Sequence, residues 1–221
     1  MKLGRKEHME QFRTGLLYMN ALSYFRDLDA DTARGDRFEG VDSILQPKDL
    51  GEAYIDPGIP SIGRIDIRRD DLAGPITIAM NRTLGCNLFC LYALTRPVKE
   101  LLFSAEHDWF GGDSLVLVTN TQEFLNRVTK AAREQKFPLQ GAQVGYYDES
   151  GYSGRVGRFM KSSRFAHQNE YRIAIETGVD GPFRFQIGDI RDITSEVIPF
   201  DQADECLKFT ESDAREAGMN W

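Results

Sequence analysis

Apolar residues recur at every second position in several short bursts along this chain, the period of a half-buried strand. Residues 16–20 (LLYMN), 171–175 (YRIAI) and 183–187 (FRFQI) show it most clearly, and 41–45 and 144–147 also read as short strands. Residues 114–119 (SLVLVT) and 75–80 (PITIAM) also read as strands. Ile62, Ile65 and Ile67 fall in a charge-rich stretch that predicts an edge strand. Residues 88–94 (LFCLYAL) are apolar almost throughout, which predicts a central strand buried on both faces.

The helical period is rarer. Residues 121–137 give the clearest case, with Thr121 as N-cap, Phe124, Leu125 and Val128 on one face, and Lys and Arg gathered late. Residues 4–14 predict a short amphipathic helix with Met9 and Phe12 inward and Gly15 at the C′ position. Between these elements, residues 22–25 form an apolar and aromatic anchor, and 27–40 form a polar loop with Gly35 and Gly40 as flexible points. Residues 47–60 are turn-rich, 97–103 read as a helical turn, and an acidic helix follows Pro199. Many strands, few long helices and no regular βαβ alternation predict a single α+β domain over residues 1–221, its sheet mixed or mostly antiparallel with flanking helices.

Composition narrows the function. The net charge of −7 argues against general coating of nucleic acid or anionic membrane, so contacts with phosphate should be local. Cys86, Cys90 and Cys206 form no CxxC pair, and His8, His107 and His167 sit in no HExxH pattern. This predicts free thiols, a reducing compartment and no metal site. The opening MKLGRKEHMEQF is charged throughout and no apolar run reaches about 20 residues, which predicts a cytoplasmic protein without a leader or membrane span. GxxxxGK[ST] is absent, as is GxGxxG after a strand, which removes the ordinary nucleotide-hydrolase and dinucleotide-fold readings.

Against that acidic background, residues 154–176 carry Arg155, Arg158, Lys161, Arg164 and Arg172 together with His167, Gln168 and Glu170. Cations so concentrated predict an anion site, with Lys161, Arg164 and Arg172 as phosphate binders, or else a solvated basic loop before a core strand in which Glu170 pairs with Arg172 or Arg164 at the surface. Gln168 and Glu170 should share one face at the start of a strand, about 6–7 Å apart along the backbone. An amide and a carboxylate so placed can hold two ribose hydroxyls, or stabilise positive charge on a sugar carbon while orienting a nucleophile. His167 could act as an acid or base, or, beside Phe165, as a packing residue. Asp36 and Glu39, bracketed by Gly35 and Gly40, could bind a metal, a ribose, or the basic run itself, and Tyr18 and Asn20 could line the same cleft. Two alternatives use the same residues. One is a non-enzymatic module binding a nucleotide, RNA or an acidic partner. The other is a nuclease with Asp36, Glu39 and Glu170 on Mg²⁺ and Lys161 at the scissile phosphate.

In order, the landmarks G-LYMN-LSYFRD, RGD-FEG, an apolar strand with Cys and Leu, G-DSLVLVT and K-SRFAHQNEYRIAI resemble those of a loosely defined group of uncharacterised bacterial and phage proteins. The likeness spans most of residues 4–190, and includes the late K…E-x-E-Y-R strand, here Lys161 with residues 168–172. At greater distance this group is similar to the ADP-ribosyltransferase superfamily, where a late-strand glutamate, often preceded two positions earlier by Gln or Glu, holds the nicotinamide ribose of NAD. The resemblance implies NAD as substrate, Glu170 as the catalytic carboxylate, Gln168 orienting a protein or RNA acceptor, and Lys161 and Arg164 on the pyrophosphate. The superfamily's early strand usually offers Arg or His; here it offers Tyr18 and Asn20, with His8 and Arg13 in the helix before it. For the superfamily's middle Ser-Thr-Ser or Tyr-based motif this chain has only Thr83 or Tyr92. A toxin or phage-defence role is the expected setting.

Overall fold

The computed structural model describes residues 1–28, 36–79, 85–94 and 111–203. The strands in chain order are β1 (Lys2–Gly4), β2 (Leu16–Ala21), β3 (Ser43–Leu45), β4 (Ala53–Ile55), β5 (Ile65–Ile67), β6 (Ile76–Ile78), β7 (Cys86–Tyr92) and β8 (Ser114–Val116), then β9 (Leu139–Gln143), β10 (Gly145–Tyr147), β11 (Gly154–Arg155), β12 (Met160–Ser162), β13 (Glu170–Glu176), β14 (Phe183–Gln186) and β15 (Ile198–Pro199). The α-helices among the described residues are α1 (Lys6–Arg13), α2 (Leu22–Asp27) and α3 (Thr121–Glu134). The fold is α+β, organised on a five-stranded antiparallel sheet in the order β14-β2-β7-β13-β9.

Alternation decides how this sheet is covered. Leu17 and Met19 of β2, Phe89 and Leu91 of β7, Ile173 and Ile175 of β13 and Phe185 of β14 share one core with Met9 and Phe12 of α1 and Phe124, Val128 and Ala132 of α3. Phe12 sits at its centre, 5.6 Å from the Phe89 ring and 5.9 Å, edge-on, from Phe124. The residues between them, Tyr18, Asn20, Cys90, Tyr92, Glu170, Arg172 and Arg184, therefore face the other way. The expected central strand is β7, where Cys86, Asn87, Leu88, Phe89 and Leu91 are all buried.

Several elements differ from the sequence expectation. Residues 2–4 pair with β8 as a strand, so the first helix starts at Lys6. Asn120, not Thr121, caps α3, its side chain accepting from the Glu123 N–H at 3.0 Å. Residues 139–143 (LQGAQ) form a strand without a strand-like composition, because β13 imposes the pairing from Tyr171↔Gln143 to Ile175↔Leu139. The turn-rich stretch contains β4, which pairs with β5 in a two-stranded ribbon leaving Tyr54, Ile55 and Ile65 about half exposed. Arg34, Gly35, Thr83, His107, Cys206, residues 97–103 and the acidic tail from 204 lie outside the described residues.

The sheet is also unevenly zipped. β7 and β13 share seven register pairs, whereas β2 and β7 share two, Asn20↔Leu88 and Ala21↔Asn87. Beyond these, β2 diverges, and residues 1–2 lie along the end of β7. The Tyr92 N–H donates to Met1 O at 2.8 Å, and Lys2 Nζ donates to Cys90 O at 2.8 Å. The divergence opens a cleft between strands that would otherwise touch.

Gly15 ends α1 at φ +85°, where a Cβ would lie 1.7 Å from Gly188 O. Gly58, at φ +67°, has open space around it. Gly15→Ala is expected to cost about 2–4 kcal/mol, combining left-handed strain with backbone overlap, against about 1 kcal/mol for Gly58→Ala. Urea midpoints of the two variants check this, and equal shifts would rule out the close approach.

Candidate functional site

A cleft of about 640 Å³ opens where β2 leaves β7. Among the described residues lining it are Lys161, Gln168, Glu170, Arg172, Tyr18 and Asn20, so six of the residues singled out from sequence converge there. Arg164, Asp36 and Glu39 do not line it. Lys2, Arg5, His8 and Arg184 do, although no motif or spacing in the chain brings Lys2, Arg5 and Arg184 together. The described lining holds five cationic side chains, Lys2, Arg5, Lys161, Arg172 and Arg184, and one carboxylate, Glu170. In a protein of net charge −7 this is a local reversal of sign.

The β13 wall rests on a buried ionic network. Arg172, 1% exposed, donates from Nη1 and Nη2 to the two Glu39 oxygens at 2.6 and 3.0 Å, and from Nε to Glu170 Oε2 at 2.7 Å. Its Nη1 also donates to Arg158 O at 2.8 Å. Lys161, 3% exposed, donates to Gln168 Oε1 at 2.7 Å and Glu170 Oε1 at 3.2 Å. Fully buried charges persist only when paired and hydrogen-bonded, and this bidentate, two-sided arrangement meets that demand.

The geometry around Gln168 and Glu170 departs from the expected strand pair. Gln168 closes a 3₁₀ segment (Ser163–Gln168), Asn169 takes the left-handed conformation at φ 36°, and β13 begins at Glu170. The two side chains still meet, because both accept from the Lys161 ammonium. Asn169 tolerates that conformation better than most residues and is tied on both sides. Its carbonyl accepts from the Ala93 N–H at 2.7 Å, and its Oδ1 accepts from Gln143 Nε2 at 3.1 Å. The Glu170 N–H donates to Tyr146 Oη at 2.9 Å.

The basic segment is not one anion site. Arg158 pairs with Glu176 at 2.9 Å, Arg164 with Glu149 at 3.6 Å, Lys161 with Glu170, and Arg172 with Glu39 and Glu170. These four cations are divided among Glu176, Glu149, Glu170 and Glu39 because the segment winds through 3₁₀ turns and strands β11, β12 and β13, which point the side chains apart. Arg172, expected as a phosphate binder, therefore uses its guanidinium inside the protein, and Arg164 lies over the Phe165 ring outside the cleft. Asp36 neutralises no cation of the run; it accepts from the Phe38 and Ser162 N–H groups at 3.0 and 3.2 Å. His167 is exposed rather than packed. For the nuclease arrangement, Glu39 and Glu170 converge on a guanidinium and leave no shared space between them.

Burial, the largest influence on Glu170, pushes its carboxyl up, but Arg172 and Lys161 outweigh it and hold it down at about 2. It is ionised at neutral pH. Burial, reinforced by the Glu170 charge, pushes the Cys90 thiol up to about 11, so the cleft offers no thiolate nucleophile there. Among the described residues no helix is long and apolar enough to cross a membrane. Comparison with protein-family models, with curated protein sequences and with solved structures finds no match.

Glu39→Gln leaves the buried Arg172 short of a counter-charge and is expected to cost roughly 3–5 kcal/mol, read as a fall in denaturation midpoint. The depressed Glu170 pKa has a definite sign. Its stabilisation is complete above about pH 4.5 and is lost as the pH falls from there towards 2. An acid titration of stability is expected to lose a component in that window that Glu170→Gln lacks. Superimposable curves for wild type and variant would show that Glu170 does not contribute.

Proposed function

We propose that this protein is an ADP-ribosyltransferase-like enzyme that binds NAD in the cleft and transfers its ADP-ribose to an acceptor. The observation that carries the reading is that the one carboxylate among the described lining residues, Glu170, is ionised and set beside Gln168 in a cleft rich in cations. Cationic walls suit a diphosphate. A fixed carboxylate suits the reacting sugar, whose anomeric carbon gains positive charge as the bond to nicotinamide breaks. Nicotinamide leaves with the bonding pair, and an acceptor oxygen or nitrogen bonds to the anomeric carbon and gives up its proton. In this reading Glu170 stabilises the oxocarbenium-like ribose, Gln168 orients the acceptor, and Lys161 and Arg172 keep Glu170 charged and in place. Tyr18 and Asn20 contact the dinucleotide from the opposite wall. The acceptor is a protein or RNA, the setting a toxin or phage-defence effector, and the compartment the cytoplasm, where free Cys86 and Cys90 suit reducing conditions.

One observation favours a second, non-enzymatic reading, in which the cleft only holds a nucleotide, RNA or an acidic partner. Both Glu170 oxygens already accept from protein cations. Nicotinamide release from NAD, with and without cell extract as a source of acceptors, separates the two. Under the enzymatic reading wild type releases nicotinamide, and Glu170→Gln loses about 100-fold or more while keeping most of its affinity for NAD. Asn20→Ala, which leaves the buried ion pairs intact, is expected to raise KM and serves as a folded comparison. Silence from wild type with extract present sinks the transferase reading and leaves the binding one.

A further inference from the structure

The two walls of the cleft differ in what their polar groups already do. On the β13 side, Lys161, Gln168, Glu170 and Arg172 hold one another. On the β2–β14 side, the side chains of Tyr18, Asn20 and Arg184 have no hydrogen-bond or ion-pair partner among the described residues, yet all three line the cavity. Arg184 stands directly opposite Tyr18 in the β14–β2 ladder, so the two project from the same face as neighbours. Tyr18 is 49% exposed, on a strand whose alternate residues Leu17 and Met19 are fully buried. A guanidinium beside an open aromatic face matches a phosphate next to a flat heterocycle.

Position in the sheet sets the size of the ligand. Arg184 lies on β14 and Glu170 on β13, with β2 and β7 between them. Three inter-strand spacings of about 4.8 Å put the two backbones about 14 Å apart, and the divergence of β2 adds to this. That span exceeds the few bonds between the phosphate and the anomeric carbon of a mononucleotide.

We infer that Arg184, with Tyr18 beside it, is the diphosphate-binding arm of the cleft, and that the ligand is an elongated dinucleotide rather than a mononucleotide. The inference rests on the reading of Glu170 as the group facing the reacting ribose. Arg184 takes the role that sequence gave to Lys161 and Arg164. The Arg184 guanidinium donates to phosphate oxygens, the Tyr18 ring stacks on the distal base, and Lys2, in the gap between the walls, adds positive charge along the path.

Calorimetric titration with ADP-ribose and with nicotinamide mononucleotide tests this. Arg184→Ala is expected to weaken ADP-ribose roughly 10- to 100-fold and to flatten the dependence of its affinity on salt, with Arg184→Lys falling between. Tyr18→Ala is expected to weaken ADP-ribose roughly 10-fold. Neither change should alter the mononucleotide affinity by more than about 2-fold, since that ligand reaches Glu170 without reaching β14. Both residues are exposed or half-exposed, so unchanged melting curves are expected. ADP-ribose binding by Arg184→Ala at wild-type strength overturns the subsite, and so does equal weakening of both ligands. Loss of ADP-ribose affinity in Arg184→Ala with no nicotinamide release by wild type keeps the subsite and removes the transferase reading. Nicotinamide release with no effect of Arg184 does the reverse.

Discussion

A guanidinium almost wholly removed from water, Arg172, is the constraint to which the surrounding structure answers. Such a group is costly to desolvate, and the cost is offset only by acceptors of fixed geometry around it. Glu39 meets it fork to fork, Glu170 meets it at Nε, and the Arg158 carbonyl takes a further contact. Three separate stretches of chain must therefore arrive together: the loop ending at Gly40, the segment before β12, and the start of β13. Lys161 closes the other side of Glu170 and draws in Gln168. The ionic members hold one another as a block, because none of Glu39, Lys161, Glu170 and Arg172 can leave without removing a counter-charge from its neighbour.

The divergence of β2 from β7 gives that block something to face. A fully paired β2 and β7 would continue the register of Ala21↔Asn87 and set Tyr18 against Cys90, closing the space above Glu170. Instead Lys2 occupies a backbone acceptor that a neighbouring strand would have used. One wall of the resulting cleft is preorganised and internally satisfied, and the other carries side chains free to meet a ligand. Preorganised charge on one side and adaptable contact on the other is a familiar division in sites that bind and then react.

The strands that carry the site were legible because their alternation is strong. In β2, β13 and β14 the buried residues are those the pattern marks, and the apolar run of β7 reports burial on both faces. The convergence of Gln168 and Glu170 was legible in outcome and not in cause. Their spacing suggested a shared strand face, whereas a left-handed Asn169 and the distant Lys161 produce the meeting. Glu39 was recognisable as an anion for the basic run, but its partner proved to be Arg172, a choice fixed by contacts far apart in sequence. Arg184 gave no local signal: its importance comes from β14 lying beside β2, which no window of sequence encodes. The strand status of residues 139–143 was hidden similarly, since pairing with β13 overrides a composition of Gln, Gly and Ala.

The β4–β5 ribbon bears on how the protein behaves in concentrated solution. Its two strands pair with each other and with no further strand among the described residues, leaving backbone edges beside Tyr54, Ile55 and Ile65. Such edges invite other chains to add on, and what discourages it is charge. Arg64 lies over the Tyr54 ring at 4.0 Å and pairs with Asp66 at 2.6 Å, so apolar and charged groups alternate along the ribbon. Resistance to edge-to-edge pairing at this ribbon would rest on its few charged side chains, and is a property that core stability does not measure.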